Sequence, residues 1–259
     1  MTADGTVVLD LDGVLYRGEA GVPGVADALT QLRSAGWHLV YATNNSTKTA
    51  DLVAEHIEQR TGFSIDPTAV VTSAAVAAQV CSLEHSSAYV VGPDAVRIEL
   101  AVRGISIVDA SEAEAIIVGL DRNLTYSSIS VAASAIRRGA TFIGTNLDPT
   151  FPTPTGLEPG AGTVVGAVEI AADTQPIICG KPTQVFSAAV GEHIQGDDVW
   201  MVGDRPDTDL AMAIDRGWRS ALVMTGVTSA ADVVPAKWTP DAVLNSVADL
   251  PAILGKATR

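Results

Sequence analysis

The chain has 259 residues, 47% of them apolar, so it is long enough to bury one large core or two modest ones. Its formal charge of −14, from 16 basic and 30 acidic side chains, argues against a nucleic-acid polymer as partner, because phosphate backbones are bound by basic surfaces.

No stretch reaches the ~18 to 20 uninterrupted apolar residues that a membrane-spanning helix needs, so no membrane partner is expected. The start of the chain shows no charged leader, apolar run or cleavage signature, which predicts a cytoplasmic location. Two cysteines, Cys81 and Cys179, make neither a disulfide scaffold nor a zinc site and are expected to be buried.

Strand and helix patterns alternate along the chain, which is typical of an α/β protein with a mainly parallel sheet. In the first third, the patterns predict strands at 6–9 and 37–42, helices ending at Gly36 and near Gly62, and a helix over 74–83. The stretch from about 85 to 180 is predicted to be a second α/β unit, with strands at 88–91, 105–108, 115–118 and 141–143 and helices ending near 103 and covering 126–138 and 163–172. The last part predicts helices at 184–193, 210–216 and 247–254 and strands at 199–202 and 220–223.

The first strand ends in two carboxylates, Asp10 and Asp12, followed by Gly13, which lets the chain turn. Leu11 separates the two, so both carboxylates can lean toward one side of the strand end. In an open α/β sheet the ligand crevice lies outside the carboxyl ends of the strands. Carboxylates this close repel each other unless a cation or a proton sits with them. A strand followed by an Asp-rich turn is the alternative for this stretch alone.

Polar residues follow, or lie just beyond, three further apolar segments: Thr43 with Asn44 after 37–42, Lys181 beyond Ile177 and Ile178, and Asp204 with Asp209 after 199–202. Each of them alone is a weak signal, since Thr43 would also fit an ordinary strand end and Lys181 a solvated loop. A long segment rich in Pro, Thr and Gly, from Asn146 to Gly162, is predicted to be a loop, and loops of that length are uncommon unless functional or disordered.

Taken together, these residues resemble the four motifs of the haloacid dehalogenase (HAD) superfamily. The motifs are Asp-x-Asp at 10–12, a Thr after the second strand at 43, a Lys at 181, and Gly-Asp-x-x-x-x-Asp at 203–209. An insertion between the Thr and the Lys is similar to the subclass with a large α/β cap of the C2 type. Segments 41–46 and 145–150 are similar to its NagD and p-nitrophenylphosphatase-like branch, subclass IIA. The resemblance implies a Rossmann-like parallel-sheet core at 1–84 and 181–259 and an inserted α/β cap at 85–180.

The resemblance also implies an activity, a Mg²⁺-dependent phosphatase that acts on small phosphorylated metabolites through a phosphoaspartate. Sugar phosphates, glycerol phosphate and nucleotides are the expected substrates. Asp10 would be the nucleophile and Asp12 the general acid and base. The carboxylates of Asp10 and Asp204 and the backbone carbonyl of Asp12 would hold the metal, with Asp209 just outside its direct ligands. A cation is physically required, because a carboxylate ~4 Å from a phosphate dianion is repelled by about 8 kcal/mol at an effective dielectric of 20.

Other roles follow from the same resemblance. Thr43, the backbone amide of Asn44 and Lys181 would bind the phosphoryl oxygens. Within the long loop, four residues would read the leaving group of the substrate: Asn146, Asp148, Thr150 and Phe151. A Pro-rich surface loop is the alternative for this segment. Relatives with such caps sometimes form homodimers, so a homodimer is allowed.

Two further classes share some of these features. A phosphorylatable receiver-like module also has an acidic cluster, a Thr and a Lys on a parallel sheet, but it is one short domain and its phosphoacceptor follows a middle strand. A non-catalytic metabolite-binding protein on the same type of fold is the other alternative, and the intact pair Asp10 and Asp12 argues against it.

Overall fold

The computed structural model of the chain describes residues 5–153, 156–228, 232 and 234–255. The chain forms two compact units, the first made of Met1–Thr43, Asp51–Val71 and Ser187–Arg259 and the second of Asn44–Ala50 and Thr72–Phe186. The core and cap boundaries expected at 84/85 and 180/181 stay a prediction. The prediction that the chain starts without a leader falls partly on residues 1–4, which lie outside the described residues.

The first part of the chain alternates short strands and helices as predicted, with a small hairpin added after the first strand. Its elements are β1 (Gly5–Leu9), β2 (Tyr16–Arg17), β3 (Ala20–Gly21), α1 (Val25–Ser34), β4 (Trp37–Thr43), α2 (Ala50–Thr61) and β5 (Val70–Thr72). Every residue of β1 is buried, as expected for a short apolar strand inside a parallel sheet. Helix α1 buries the apolar face that its sequence predicts, Val25, Ala28, Leu29 and Leu32.

The middle of the chain forms its own sheet and helices. The elements are α3 (Ser73–Glu84), β6 (Ser87–Val91), α4 (Asp94–Val102), β7 (Ser106–Ile107), β8 (Ala115–Val118), α5 (Tyr126–Arg137), β9 (Thr141–Gly144), β10 (Thr150–Thr153), β11 (Gly156–Pro159), α6 (Ala161–Ala172) and β12 (Ile177–Ile178). Five of these strands form a parallel sheet in the order β12-β9-β8-β6-β7. Helices α5 and α6 bury apolar residues in one core with this sheet, among them Ile116, Phe142 and Val165.

The segment 146–162 is not the irregular loop that the sequence predicts. Strands β10 and β11 pair as an antiparallel hairpin, with Phe151 opposite Glu158. Pro residues at 152 and 159 hide the strand pattern in the sequence, because proline lacks the N–H group that a ladder uses and is tolerated only where that group is not needed. Helix α6 begins at Ala161, two residues before the predicted start, after Gly160 at its N-cap.

The last part of the chain completes the sheet of the first unit. Its elements are α7 (Gln184–Gly191), β13 (Asp198–Gly203), α8 (Ala211–Arg216), β14 (Arg219–Val223), β15 (Ala242–Leu244) and α9 (Leu250–Leu254). The six-stranded sheet has the order β15-β14-β13-β1-β4-β5, and β1 is parallel to both of its neighbours. The prediction of an α/β protein with a parallel-sheet core is therefore confirmed. Within the described ranges, no helix is both long and apolar enough to cross a membrane.

Candidate active site

Three neighbouring strands of the first unit end in polar residues at the same edge of the sheet. Asp10 follows β1, Thr43 is the last residue of β4, and Asp204 follows β13. The backbone N–H of Asp10 donates to the carbonyl of Val202 over 2.9 Å, which extends the pairing of β1 and β13 by one residue. The main chain at Asp10 is therefore held by the sheet itself, at the edge where open α/β sheets bind ligands.

Three carboxylates meet at this edge. One oxygen each from Asp10, Asp204 and Asp209 lies within 4.8 Å of the others. These residues are only 8%, 1% and 0% exposed, respectively. Three buried carboxylates this close repel each other strongly in their ionised form, and a bound cation or protonation relieves the repulsion. Carboxylate oxygens are the ligands of hard divalent cations, so the donor set fits a divalent metal.

Asp209 reaches this cluster through a tight turn after β13. Residues Pro206–Leu210 form a single π-helical turn, and the backbone N–H of Asp209 donates to the carbonyl of Arg205 over 2.9 Å. In return, the backbone N–H of Arg205 donates to Oδ2 of Asp209 over 3.1 Å. The neighbouring acid Asp207 is exposed and forms an ion pair with Arg205 at 3.4 Å, outside the buried cluster. The turn therefore directs Asp209 into the buried cluster and leaves Asp207 at the surface.

Asp12 has a different environment from Asp10, because it is exposed. The chain turns after it at Gly13, whose φ of +83° belongs to the left-handed region and whose N–H donates to the carbonyl of Tyr16 over 2.7 Å. Burial raises the pKa of the Tyr16 hydroxyl, and the negative charges of Asp12 and Asp10 raise it further. Both carboxylates therefore act on the same neighbour, one from a buried and one from an exposed position.

Sequence reasoning missed a segment that holds Asp204. The backbone N–H of Val227 donates to Oδ2 of Asp204 over 2.5 Å, and a Cβ on Gly226 would overlap that carboxylate. The hydroxyl of Thr225 donates to the carbonyl of Gly13 over 2.5 Å, which joins this segment to the turn after β1. The segment follows β14 closely, so the strand-end rule applied to β14 would have pointed to it.

Asn44 and Lys181, both predicted to bind phosphate, lie together in the second unit. Oδ1 of Asn44 accepts a hydrogen bond from the backbone N–H of Lys181 over 2.6 Å, and Nδ2 donates to the carbonyl of Lys181 over 3.4 Å. Lys181 is 5% exposed, an unusual degree of burial for a lysine.

Two of the four predicted loop residues join this pair. Nδ2 of Asn146 donates to the backbone carbonyl of Asn44 over 2.7 Å. Both carboxylate oxygens of Asp148 lie 3.2 Å from Nδ2 of Asn44, and the backbone N–H of Asp148 donates to Oδ1 of Asn146 over 3.0 Å. The structure therefore brings Asn44, Asn146, Asp148 and Lys181 into one hydrogen-bonded group.

The other two loop residues lie on the hairpin. Thr150 and Phe151 both belong to β10, where Thr150 is exposed and Phe151 is partly buried. The guanidinium of Arg122 lies 5.1 Å from the centre of the Phe151 ring and pairs with Glu158 of the opposite strand at 3.1 Å. Arg122 thus contacts both strands of the hairpin, a contact that the sequence alone does not reveal.

Comparison with known proteins identifies the family. Residues 7–106 match the model of haloacid dehalogenase-like hydrolases, and residues 178–250 match a second, HAD-hydrolase-like model. An acid sugar phosphatase from Staphylococcus haemolyticus is 35% identical over 226 residues, which are 86% of each chain. The chain belongs to the haloacid dehalogenase-like hydrolases.

Solved structures place this HAD hydrolase in the NagD-like phosphatase branch. NagD from Escherichia coli K-12 superimposes with a TM-score of 0.87 at 30% identity, covering 96% of this chain and 98% of NagD. A glycerol phosphate phosphatase from Mycobacterium tuberculosis, solved in complex with magnesium, superimposes with a TM-score of 0.84 at 32% identity, covering 95% of this chain and 78% of that one. The family predicted from the four motifs and the branch predicted from segments 41–46 and 145–150 are both confirmed.

Proposed function

We propose that this phosphatase of small phosphorylated metabolites works through nucleophilic attack by Asp10 on phosphorus. The attacking carboxylate oxygen forms a bond to phosphorus as the ester oxygen leaves, which gives an aspartyl phosphate that water then hydrolyses. The observation that carries the proposal is the buried cluster of Asp10, Asp204 and Asp209 at the carboxyl ends of adjacent strands.

Asp12 is proposed as the general acid and base. An alkoxide is a poor leaving group unless it is protonated as it departs, and a water attacking the intermediate must lose a proton. The exposed position of Asp12 supports this role, because a group that exchanges protons with solvent and substrate has to be accessible. Its neighbour Asp10 is only 8% exposed, so it exchanges protons with solvent less readily and is assigned the nucleophilic attack.

Mg²⁺ is the metal we propose for the acidic cluster. The carboxylates of Asp10 and Asp204 and the backbone carbonyl of Asp12 would hold it, and Asp209, just outside the direct ligands, would orient them. When bound, the ion supplies positive charge that offsets the repulsion between the nucleophile and a phosphate dianion. The M. tuberculosis relative has been solved both with magnesium and with calcium, which supports a divalent cation here, and the choice of Mg²⁺ follows from the resemblance to the family.

Phosphoryl binding by Thr43, the backbone amide of Asn44 and Lys181 stays a prediction from the resemblance. So does the reading of the leaving group by Asn146, Asp148, Thr150 and Phe151. A homodimer and a cytoplasmic location are likewise predictions, and light scattering on the purified protein tests the first of them.

Sugar phosphates and glycerol phosphate are the substrates we propose, with nucleotides as a third class. Support comes from the names of the similar proteins, an acid sugar phosphatase and a glycerol phosphate phosphatase. The acidic surface implied by a charge of −14 disfavours phosphate groups carried on a polyanion and leaves small esters as the accessible substrates.

The test is a hydrolysis assay with p-nitrophenyl phosphate and then with a panel of these metabolites, with Mg²⁺ present or chelated. We expect turnover that stops with excess chelator and returns with Mg²⁺. Asp10→Asn should abolish it, and an aspartyl phosphate should be trapped in the wild-type protein by rapid acid quenching. Full activity in chelator, or in Asp10→Asn, would overturn the proposal.

A further inference from the structure

The buried polar group around Asn44 lies in the second unit and has a specific geometry. The Asn44 side chain offers one acceptor and one donor to the backbone of Lys181, at 2.6 and 3.4 Å. This two-point pairing is how one β-strand engages its neighbour, so the side-chain amide substitutes for a strand next to Lys181. The main chain from which the lysine side chain projects is thereby fixed.

Asp148 determines which way the Asn44 amide faces. An ionised carboxylate only accepts hydrogen bonds, and both oxygens of Asp148 lie 3.2 Å from Nδ2 of Asn44. The NH₂ group must therefore face Asp148, and Oδ1 is left to face the N–H of Lys181. A hydrogen bond to a charged acceptor is also stronger than one between neutral groups.

The backbone of Asn44 is fixed as well. Its carbonyl accepts from Oγ of Ser73 over 2.6 Å and from Nδ2 of Asn146 over 2.7 Å. Because Asn44 is only 9% exposed, water is a poor substitute for any of these partners. The side chain therefore has one available orientation.

We propose that Asn44 and Asp148 are positioning residues for Lys181. The Asp148 carboxylate orients the Asn44 amide, and that amide fixes the backbone of Lys181 so that its ammonium group is presented to the phosphoryl oxygens. This inference rests on the proposed phosphate-binding role of Lys181. It differs from a leaving-group contact by Asp148, because a positioning residue affects all phosphomonoesters equally whereas a leaving-group contact does not.

The test uses the full chain with Mg²⁺ and compares Asn44→Asp, Asp148→Asn and the double variant Asn44→Asp/Asp148→Asn. KM and kcat are measured for p-nitrophenyl phosphate and glycerol phosphate, together with the inhibition constant of inorganic phosphate and the melting temperature. Asn45→Ala is the matched control, since the side chain of Asn45 is exposed and bonds Thr47 of its own turn.

In Asn44→Asp, the hydrogen bonds that Nδ2 donates to Asp148 and to the carbonyl of Lys181 are lost, and two carboxylates face each other. We expect KM and the phosphate inhibition constant to rise by about tenfold or more, equally for both substrates. In the double variant the amide at 148 donates to the carboxylate at 44, so phosphate affinity should recover in part. Asn45→Ala should match the wild type.

Several outcomes would overturn the positioning role. One such outcome is a double variant whose KM and phosphate inhibition constant are no lower than those of Asn44→Asp. Another is an Asn44→Asp variant whose melting temperature falls while its KM and phosphate inhibition constant stay at the wild-type values. If Asn44→Asp does not fold, Asp148→Asn alone decides, and unequal effects on the two substrates would assign Asp148 to the leaving group instead. Lys181→Ala distinguishes failure of the phosphate-binding role of Lys181 from failure of the positioning role of Asn44 and Asp148. Wild-type phosphate affinity in Lys181→Ala would overturn the role of Lys181 itself. Lower phosphate affinity in Lys181→Ala but not in Asn44→Asp would overturn only the positioning role.

Discussion

The backbone N–H of Val227 donates to Oδ2 of Asp204 over 2.5 Å, in the first unit of the chain. Asp204 is 1% exposed, so this bond is made in a low-dielectric environment where it fixes the carboxylate firmly. Gly226 approaches so closely that a side chain there would occupy the same space as the carboxylate. The acid at the end of β13 is therefore aimed by main chain that follows β14.

Gly226→Ala tests this relationship. The added methyl group must displace the Asp204 carboxylate, so we expect weaker Mg²⁺ binding and a fall in kcat of about tenfold or more, since an oxygen ligand is moved from its place. Isothermal titration with Mg²⁺ and the p-nitrophenyl phosphate assay measure the two effects. Gly166→Ala is the control, because a Cβ at this helical glycine meets nothing within 4 Å. Equal Mg²⁺ affinity in both variants would refute the role given to Gly226.

The sequence predicts those parts of the site that consist of characteristic side chains at strand ends. Asp10 and Asp204 each follow a short apolar strand, and the sheet order makes those strands neighbours. It did not predict Val227, because the group that matters there is a backbone N–H that every residue other than proline carries. The contact of Asn44 with Asp148 joins residues 104 positions apart, and no local pattern encodes such a pairing.

Secondary structure was likewise predictable where the residues show a clear pattern and not where they do not. Helix α1 was predictable because its apolar residues recur at helical spacing, and β1 because it is short, apolar and β-branched. The β10–β11 hairpin was missed because its prolines break the pattern that a strand normally shows. Strands β5 and β15, of three residues each, are too short to show any periodicity.

A pair of acids in one turn allows a matched test of the buried cluster. Asp209→Asn removes a charge from the group that contains Asp10 and Asp204, whereas Asp207→Asn removes a charge from an exposed ion pair. We expect Asp209→Asn to lower both Mg²⁺ affinity and kcat by about tenfold or more, and Asp207→Asn to change each less than twofold, because exposed ion pairs contribute little. Mg²⁺-dependent activity curves of the two variants check this. Similar curves for both variants would contradict the assignment of Asp209 to the metal site.

The proposed acid role of Asp12 predicts a dependence on the leaving group. Asp12→Asn cannot supply a proton, so hydrolysis of glycerol phosphate should fall steeply, while p-nitrophenyl phosphate, whose leaving group departs without protonation, should be partly spared. The ratio of kcat/KM for the two substrates, compared between variant and wild type, measures the effect. A loss of equal size on both substrates would deny Asp12 this role.

Both cysteines should be unreactive in the folded protein. Burial raises the pKa of the Cys179 thiol to about 12, and burial together with the charge of Glu114 raises that of Cys81 to about 11. The reactive thiolate is therefore scarce at neutral pH, and both side chains are shielded from solvent. A chromogenic thiol reagent should label neither residue at pH 7 and both after denaturation. Rapid labelling of the native protein would show that one of the thiols is accessible.

A pair of histidines in the first unit predicts how stability depends on pH. Burial lowers the pKa of His38, and positive charge on His193 lowers it further, while a backbone hydrogen bond with His193 acts in the opposite direction. Below its ordinary pKa of about 6.5, the unfolded chain therefore binds a proton at His38 more readily than the folded chain does. The free energy of unfolding should fall as the pH drops from about 7 to about 5, above the range where most carboxylates titrate. Urea denaturation of wild type, His38→Gln and the control His85→Gln at these two pH values measures the change. The fall should be smaller in His38→Gln than in the other two proteins, and an equal fall in all three would contradict the role of His38.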